Sequence, residues 1–291
     1  MIMAGFIHSL FWNFVSHTYK WWPDTLWLKM IYRTRFKRSL NFDVPKSFNE
    51  KLNWLKVYDR NPLYTKLANK YEVKEYVRNK IGEEYVVPCY GVWDDFDDID
   101  FSILPVQFVL KCTHDSGGMC ICKDKSTLNK EEAKNKLEKT LKNNFFWWTR
   151  EWPYKNVKPR ILADMLLDDH TGQVLRDYKF WCFNGTPKYM YCTVKSDDIY
   201  ENFYDMNFQP VAINHGFKRN VPEFEKPQCF DLMKSLATSL SEGIPFVRID
   251  FFYVEGKVYF GEFTFYDWAG LRPFADYGQD LELGELIALP K

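Results

Sequence analysis

The sequence predicts an α+β chain in which helices come first and antiparallel hairpins follow. Three observations carry that reading. Apolar residues recur at helical spacing through residues 47–82, 129–143 and 228–242. Short apolar runs joined by glycine-bearing turns fill 107–122, 174–195 and 246–265. No internal repeat or low-complexity tract interrupts this order.

Composition narrows the class. A chain of 291 residues can bury one large core or two modest ones. At 46% hydrophobic and 27% charged residues it is not a disordered polymer. A formal net charge of zero excludes a whole-protein basic field for gripping nucleic acid. Aromatic residues make up 19%, which suits a ligand cleft, a membrane interface or simply cores. The seven cysteines are odd in number and form no CxxC pair, so neither a disulfide framework nor a regular zinc site is expected. Reduced thiols in cytosol are. Cys120 and Cys122 share one face of a strand and read as small core residues.

The elements follow in order. Residues 1–19 carry no formal charge but are too polar to span about 30 Å of hydrocarbon, and no basic region precedes them as in a signal peptide. Ile2, Phe6, Leu10 and Phe14 recur at helical spacing instead, followed by Trp21, Trp22, Trp27 and the basic Lys29, Arg33, Arg35, Lys37 and Arg38. Over residues 1–40 six basic residues stand against Asp24 alone. That composition fits a membrane surface; the other reading is a helical segment packed on its own domain. Helices over 47–82 place Phe48, Leu52 and Leu55 on one face, and Gly82 ends the run. Extended chain over 85–93 leads to Asp94, Asp95, Asp97, Asp98 and Asp100. Asp95-Phe96-Asp97 has the letters of a metal and sugar-nucleotide site, but acids crowded before Leu104-Pro105 are expected to form a solvated turn.

Residues 107–112 form a strand carrying Lys111, and 119–122 return as its partner. The turn between them, Thr113 to Gly118, is no P-loop, because it lacks GxxxxGK[ST] running into a helix. Its glycines let backbone N–H groups approach phosphates. His114, Asp115 and Ser116 are not read as a hydrolase triad, whose members converge in space rather than in sequence. A helix over 129–143 is capped by Asn129 and lined by Ala133, Leu137 and Leu141. The aromatic stretch from Phe145 to Trp152 suits either sugar stacking or a domain interface. Extended chain over 160–167 and strands over 174–184 and 187–195 precede the helix over 228–242.

The segment 246–265 reads as a hairpin. Placing Val254 opposite Val258, with a three-residue loop around Gly256, opposes Asp250 to Glu262 and Arg248 to Thr264 on one face. Two carboxylates so placed repel unless a cation or proton lies between them. Mg²⁺ bound by both acids together with substrate phosphates resolves the conflict; pairing both with arginine is the alternative. A slip of one residue would separate them onto opposite faces. Lys111 and Lys179 sit among apolar strand residues, which favours an anion as partner. Together these features point to a nucleoside triphosphate with magnesium.

The chain resembles the TupA-like branch of the ATP-grasp superfamily, found among bacterial surface-polysaccharide biosynthesis proteins. The resemblance runs over about residues 45–288. It rests on Pro45-Lys-Ser-Phe-Asn-Glu-Lys-Leu-Asn-Trp54, Asn69-Lys70-Tyr71, Phe108-Val-Leu-Lys111, Asp177-Tyr-Lys-Phe-Trp-Cys-Phe-Asn-Gly185, Val247-Arg-Ile-Asp250, Gly261-Glu-Phe-Thr-Phe265 and Leu283-Gly284. It implies ATP held between two α+β subdomains. Residues 1–84 would form a helical N-terminal region, 85–165 the first subdomain with its glycine loop, and 166–291 the second with the metal hairpin. Lys70 and Lys111 would bind phosphate, Ser116, Gly117 and Gly118 would cover it, and Asp164 would lie at the hinge beside the ribose. Lys179 would contact phosphate, Arg248 the transferring group, and Asp250, Glu262 and Thr264 the Mg²⁺. The pattern departs from many ATP-grasp ligases at Thr264, usually Asn, at Asp164, usually Glu, and at Asn69, usually Asp.

The implied activity is ATP-dependent carboxylate–amine ligation through an acyl phosphate. The implied partners are a glycan, or a nucleotide- or lipid-linked sugar, bearing a carboxylate, and an amino acid or amino sugar as amine. No nucleic acid is expected. The implied location is the cytoplasm or the inner face of its membrane. The alternative is a glycosyltransferase of capsule or exopolysaccharide synthesis, which would use Asp95 and Asp97.

Overall fold

The structure, a computed structural model, describes residues 18–115, 118–168, 175–195, 199–216 and 225–290. The helical N-terminal part contains α1 (Asp24–Phe36), α2 (Phe48–Tyr58), α3 (Leu63–Ala68) and α4 (Glu72–Ile81). A first antiparallel sheet is built from β1 (Cys89–Trp93), β2 (Phe108–Cys112), β3 (Met119–Cys122) and β4 (Ile161–Asp164), in the order β1-β4-β2-β3. Helices α5 (Lys130–Leu141) and α6 (Phe146–Thr149) interrupt it. The second sheet contains β5 (Asp177–Phe183), β6 (Thr186–Lys195), β7 (Ile199–Asp205), β8 (Pro210–Val211), β9 (Phe246–Val254) and β10 (Lys257–Thr264), in the order β10-β9-β5-β6-β7-β8. Helix α7 (Phe230–Ser241) precedes β9, and α8 (Tyr277–Glu285) follows β10.

Alternation along the strands divides the second sheet into two unlike faces. On one, Phe180, Cys182, Met190, Ile249 and Phe251 are buried in the same core as Phe230, Met233 and Ala237 of α7. The opposite face carries Trp181, which stacks on Phe48 of α2 at 5.2 Å. The same face presents the polar residues of the site. The first sheet has its own core, in which Phe108, Leu110, Ile161 and Ala163 meet Ala133 and Leu137 of α5. Asn129 caps α5 as expected, accepting from Glu132 N at 3.1 Å.

The start of α2 is fixed more tightly than periodicity shows. Ser47 and Glu50 form a reciprocal capping box. Asn49 then donates twice to Asp280 of α8, by its backbone and its side chain, both at 3.0 Å. Gly284 brings the two helices together: a Cβ there would lie 2.1 Å from the Lys46 carbonyl. Two of the motifs quoted above, from 45–54 and 283–284, are therefore one packing unit.

The described half of the segment 1–40 packs on its own chain. Trp27, Leu28, Ile31 and Tyr32 of α1 are fully buried with Leu40 and Phe42. The Trp27 indole donates to the Trp148 carbonyl at 2.8 Å, and the buried Arg150 guanidinium pairs with Asp24 at 2.9 Å. The buried face of α1 thus packs on its own chain, and the enclosed Trp27 indole has no apolar face left for lipid. Trp21 remains 86% exposed. The amphipathic pattern of residues 2–17 lies outside the described residues, among which no helix is long and apolar enough to cross a membrane. Phe145 to Trp152 also packs inward: Phe146 is buried in the core of the second sheet and Trp152 donates to the Asp59 carbonyl at 3.0 Å.

Replacing Gly284 with alanine should cost about 2 kcal/mol of stability, since neither backbone can retreat cheaply. Urea unfolding of Gly284→Ala measures it; a loss within about 0.5 kcal/mol would show that α8 slides freely on α2.

Candidate active site

The hairpin β9–β10 sets the site. Lys257 pairs with Val254, so the turn is the two residues Glu255 and Gly256, both at positive φ (49° and 80°). Positive φ at both positions marks the tight hairpin turn that matches strand twist. The expected Val254–Val258 pairing is therefore corrected by one residue at the tip. The offset does not reach the site, because a bulge at Gly261 restores the register: Glu262 pairs with Asp250, Phe263 with Ile249 and Thr264 with Arg248. A Cβ on Gly261 would lie 3.0 Å from the Asp250 carbonyl, so the bulge is made where only glycine lets the strands approach.

Register places the neighbours. Lys179 of β5 lies opposite both Asp250 of β9 and Tyr191 of β6, so all three share the face of Glu262 and Arg248. The Arg248 guanidinium grips Asp250 through two bonds of 2.7 Å, Nε to Oδ1 and Nη2 to Oδ2. Nη2 also donates to Glu262 Oε1 at 3.0 Å, and Nη1 to Asp267 Oδ1 at 2.6 Å. Tyr191 donates to the same Asp267 oxygen at 3.1 Å. Thr264 donates to Glu262 Oε1 at 3.1 Å, and Lys70 Nζ stands 3.7 Å from Glu262 Oε2. Lys179 pairs closely with Asp177 and lies 3.9 Å from Asp250.

Charge and burial compete here. Burial pushes the Asp250 carboxyl up to about 7, despite the pull of Arg248. Glu262 goes the other way: Lys70 and Arg248 outweigh its burial and hold it below the usual range. Burial opposes the charge on Lys179, yet Asp250 and Asp177 raise its pKa.

Across from the hairpin, the first sheet contributes lysines. Asp164, buried at the end of β4, pairs with Lys111 of β2 at 2.8 Å and with Lys74 of α4 at 3.1 Å. Lys70, Lys74, Lys111 and Asp164 line one cleft with Val73, Val87 and Gly261. Lys70 joins the two sheets, its backbone N–H bonding the Thr113 carbonyl at 2.9 Å while its side chain reaches Glu262. Lys74, Tyr191 and Asp267 escape the sequence reading. The spacing Lys70-x3-Lys74, one helical turn, is the signal for the first; no local pattern marks the other two. Gly118 packs against Thr140, where a Cβ would lie 2.5 Å from its methyl carbon, and donates to Asp115 at 3.1 Å. Ser116 and Gly117 lie outside the described residues.

The acid cluster after β1 stands apart. Asp94 pairs with Lys158 at 2.7 Å and Asp97 with Lys134 at 2.5 Å, on an exposed turn. His114 Nε2 bonds the Asn143 carbonyl at 2.8 Å. Cys120 and Cys122 pack with the core of the first sheet, as expected.

The donor set of the hairpin fits a hard divalent cation. Asp250, Glu262 and Thr264 offer oxygen only, and Asp177 Oδ1 is buried with no hydrogen-bond partner among the described residues. No group of three His, Cys, Asp or Glu side chains converges as a metal cluster among the described residues. Mg²⁺ bound by two carboxylates and completed by phosphate oxygens needs none.

A family model described as TupA-like ATPgrasp matches residues 50–288. The chain belongs to that family. Membership in the TupA-like ATP-grasp family carries the ATP-grasp fold, ATP and Mg²⁺ as ligands, and carbon–nitrogen ligation as the class of chemistry. The chain is also similar to several solved structures. A D-alanine–D-alanine ligase from Helicobacter pylori matches with 15% identity and TM-score 0.42, over 83% of this chain and 69% of that one. The ATP-grasp ligase PsnB, complexed with a minimal precursor, matches with 9% identity and TM-score 0.43, over 81% and 67%. The D-cycloserine synthetase DcsG matches with 13% identity and TM-score 0.42, over 77% and 70%. Among curated proteins nothing matches.

A second buried pair underlies this TupA-like site. Lys56 Nζ bonds Asn53 Oδ1 at 3.2 Å and the carbonyls of Thr149 and Ala269 at 2.8 and 2.5 Å. Burial lowers its pKa and raises that of Glu151, to about 7. The native protein therefore keeps a proton on Glu151 that the unfolded chain releases near its ordinary value of 4.5. That stabilisation is complete below about 4.5 and is lost as pH rises to about 7, with a slope of at most about 1.4 kcal/mol per pH unit. Glu151→Gln should flatten the slope in urea unfolding at pH 5, 6 and 7; equal slopes in both proteins would refute it.

Proposed function

We propose that this protein is an ATP- and Mg²⁺-dependent carboxylate–amine ligase that attaches an amino acid or amino sugar to a cell-surface polysaccharide or its precursor. One observation carries the site: Asp250 and Glu262 oppose each other across the bulged hairpin, with Lys70 on one side, Lys179 on the other and Arg248 between. Family membership supports the chemistry, and the resemblance to surface-polysaccharide biosynthesis proteins supports the glycan.

On this reading residues 85–165 and 166–291 are the two subdomains, and 1–84 the helical region that braces them. Lys70, Lys111 and Lys179 hold phosphate, and Lys74 joins them through Asp164. Ser116, Gly117 and Gly118 cover the phosphates. Asp164 sets the lysines from the hinge side. Asp250, Glu262 and Thr264 hold Mg²⁺, which neutralises phosphate charge when bound. A substrate carboxylate oxygen attacks the γ-phosphorus, its bond to the ADP oxygen breaks, and an acyl phosphate forms. The amine then attacks the acyl carbon, loses a proton and expels phosphate, leaving an amide. Arg248 faces the oxygen that becomes an oxyanion in that step. Closure over the site shields the acyl phosphate from water. The reaction is placed in the cytoplasm, at the inner face of the membrane where such precursors are built.

The acid turn does not favour a glycosyltransferase, since Asp97, one of its two candidate acids, is spent on surface Lys134. A non-hydrolysable ATP analogue at about 100 times its Kd should raise Tm by roughly 5–10 °C with Mg²⁺. Asp250→Asn and Glu262→Gln should abolish the rise and cut ADP release by about 100-fold or more. Asp95→Asn with Asp97→Asn should change neither. A rise with UDP-sugars and Mn²⁺ instead, lost in the Asp95/Asp97 protein, would replace the ligase by the glycosyltransferase.

A further inference from the structure

Arg248 has four side-chain partners, Asp250, Glu262, Asp267 and the Tyr191 hydroxyl, which accepts from Nη1 at 3.3 Å, and they are not equivalent. Both Asp250 oxygens and Glu262 Oε1 are ligand candidates for the divalent cation and are also the acceptors that hold the guanidinium. An oxygen drawn to about 2.0–2.1 Å from Mg²⁺ turns its lone pairs from a guanidinium nitrogen. Filling the cation site therefore loosens Arg248 on that side. Asp267 is different. It lies in the turn after β10, its side chain is fully buried, and its 2.6 Å bond to Nη1 is the shortest that Arg248 makes.

Asp267 is also enclosed from behind. Tyr191 donates to the same Oδ1 at 3.1 Å. Its Oδ2 is buried with no hydrogen bond among the described residues and faces His215 Nε2 at 3.9 Å, too far for one. His215 is itself fixed, with Nδ1 3.0 Å from Glu201 of β7 and its ring stacked on Phe274 at 4.6 Å. The following residues Trp268 and Ala269 hold left-handed backbone (φ 48° and 55°), and buried Lys56 and Asn53 clamp the carbonyls of Ala269 and Gly270. Such backbone persists only where its surroundings over-determine it. The turn cannot follow a cation across the hairpin.

We infer that Asp267 is a positioning residue for the reaction: it retains the Arg248 guanidinium at the reacting centre when a divalent cation engages Asp250 and Glu262. Its use in stabilising an oxyanion rests on the ligase reading; the retention itself does not.

The test follows Arg248 by arginine side-chain ¹⁵N NMR, its signal assigned by its loss in Arg248→Lys. In full-length protein carrying Asp250→Ala and Glu262→Ala, which withdraws the two competing side chains without metal, guanidinium rotation should stay hindered. Adding Asp267→Ala should speed it several-fold. Rotation still hindered in the triple variant overturns the inference, whatever the protein catalyses. Should that variant not fold, Asp267→Asn alone titrated with Mg²⁺ and the ATP analogue should show rotation several-fold faster once the site fills, where wild type stays hindered, and unchanged rotation overturns the inference equally. In the otherwise wild-type enzyme, Asp267→Asn should lower kcat for ADP release by about 100-fold with KM for ATP within twofold. Combined with Arg248→Lys it should cost nothing further; additive losses would place its action elsewhere and overturn the inference. The ligase reading fails separately, if the wild type neither binds Mg²⁺ with ATP nor releases ADP.

Discussion

The guanidinium of Arg248, gripped by three carboxylates on one sheet face, is the constraint on which the site is built. A charge taken out of water is tolerable only when paired and hydrogen-bonded. Arg248 meets that condition with Asp250, Glu262 and Asp267, and each acid in turn needs a cation. Lys179 and Lys70 supply two more at the margins. The result is a compact alternation of three carboxylates with three cations, and only the correct register of β5, β9 and β10 assembles it. A divalent cation with phosphate oxygens enters such an array as one more alternation of the same kind.

The two sheets are tied together through lysine. Lys70 bonds Thr113 beside β2 by its backbone and approaches Glu262 of β10 by its side chain. Asp164 secures Lys74 and Lys111 in the same cleft. Burial weakens the charge of Lys74, and Asp164 opposes that loss. Asp164 thus acts here first as the counter-ion of two lysines, and any contact it makes with a ribose is made by a carboxylate already so held.

The aromatic surplus of the chain goes largely into packing. Trp27, Trp148 and Tyr19 enclose one another within 6.0 Å, and Arg150 stitches the cluster to Asp24. Composition alone cannot separate a tryptophan that meets lipid from one that meets a neighbouring helix, because both reward the same flat apolar surface. The tertiary partner decides.

What was legible in the sequence was local. Period, caps and turn residues marked α2, α5, α7 and the strands from β1 to β6, and the opposition of Asp250 to Glu262 followed from alternation with an assumed pairing at the hairpin tip. Even the misjudged tip, a two-residue turn rather than three, left the site intact because Gly261 adds the missing residue. Strands β7 and β8 and helix α8 were not seen, being short or weakly periodic. The partners brought from far along the chain were equally invisible: Asp267 and Tyr191 on Arg248, Lys74 on Asp164, Asp280 on Asn49. By itself the sequence determined which residues face the same side of a strand or helix, because backbone geometry imposes that period on any chain. Only the tertiary structure decided which faces meet, because that depends on packing between segments whose separation carries no periodic trace.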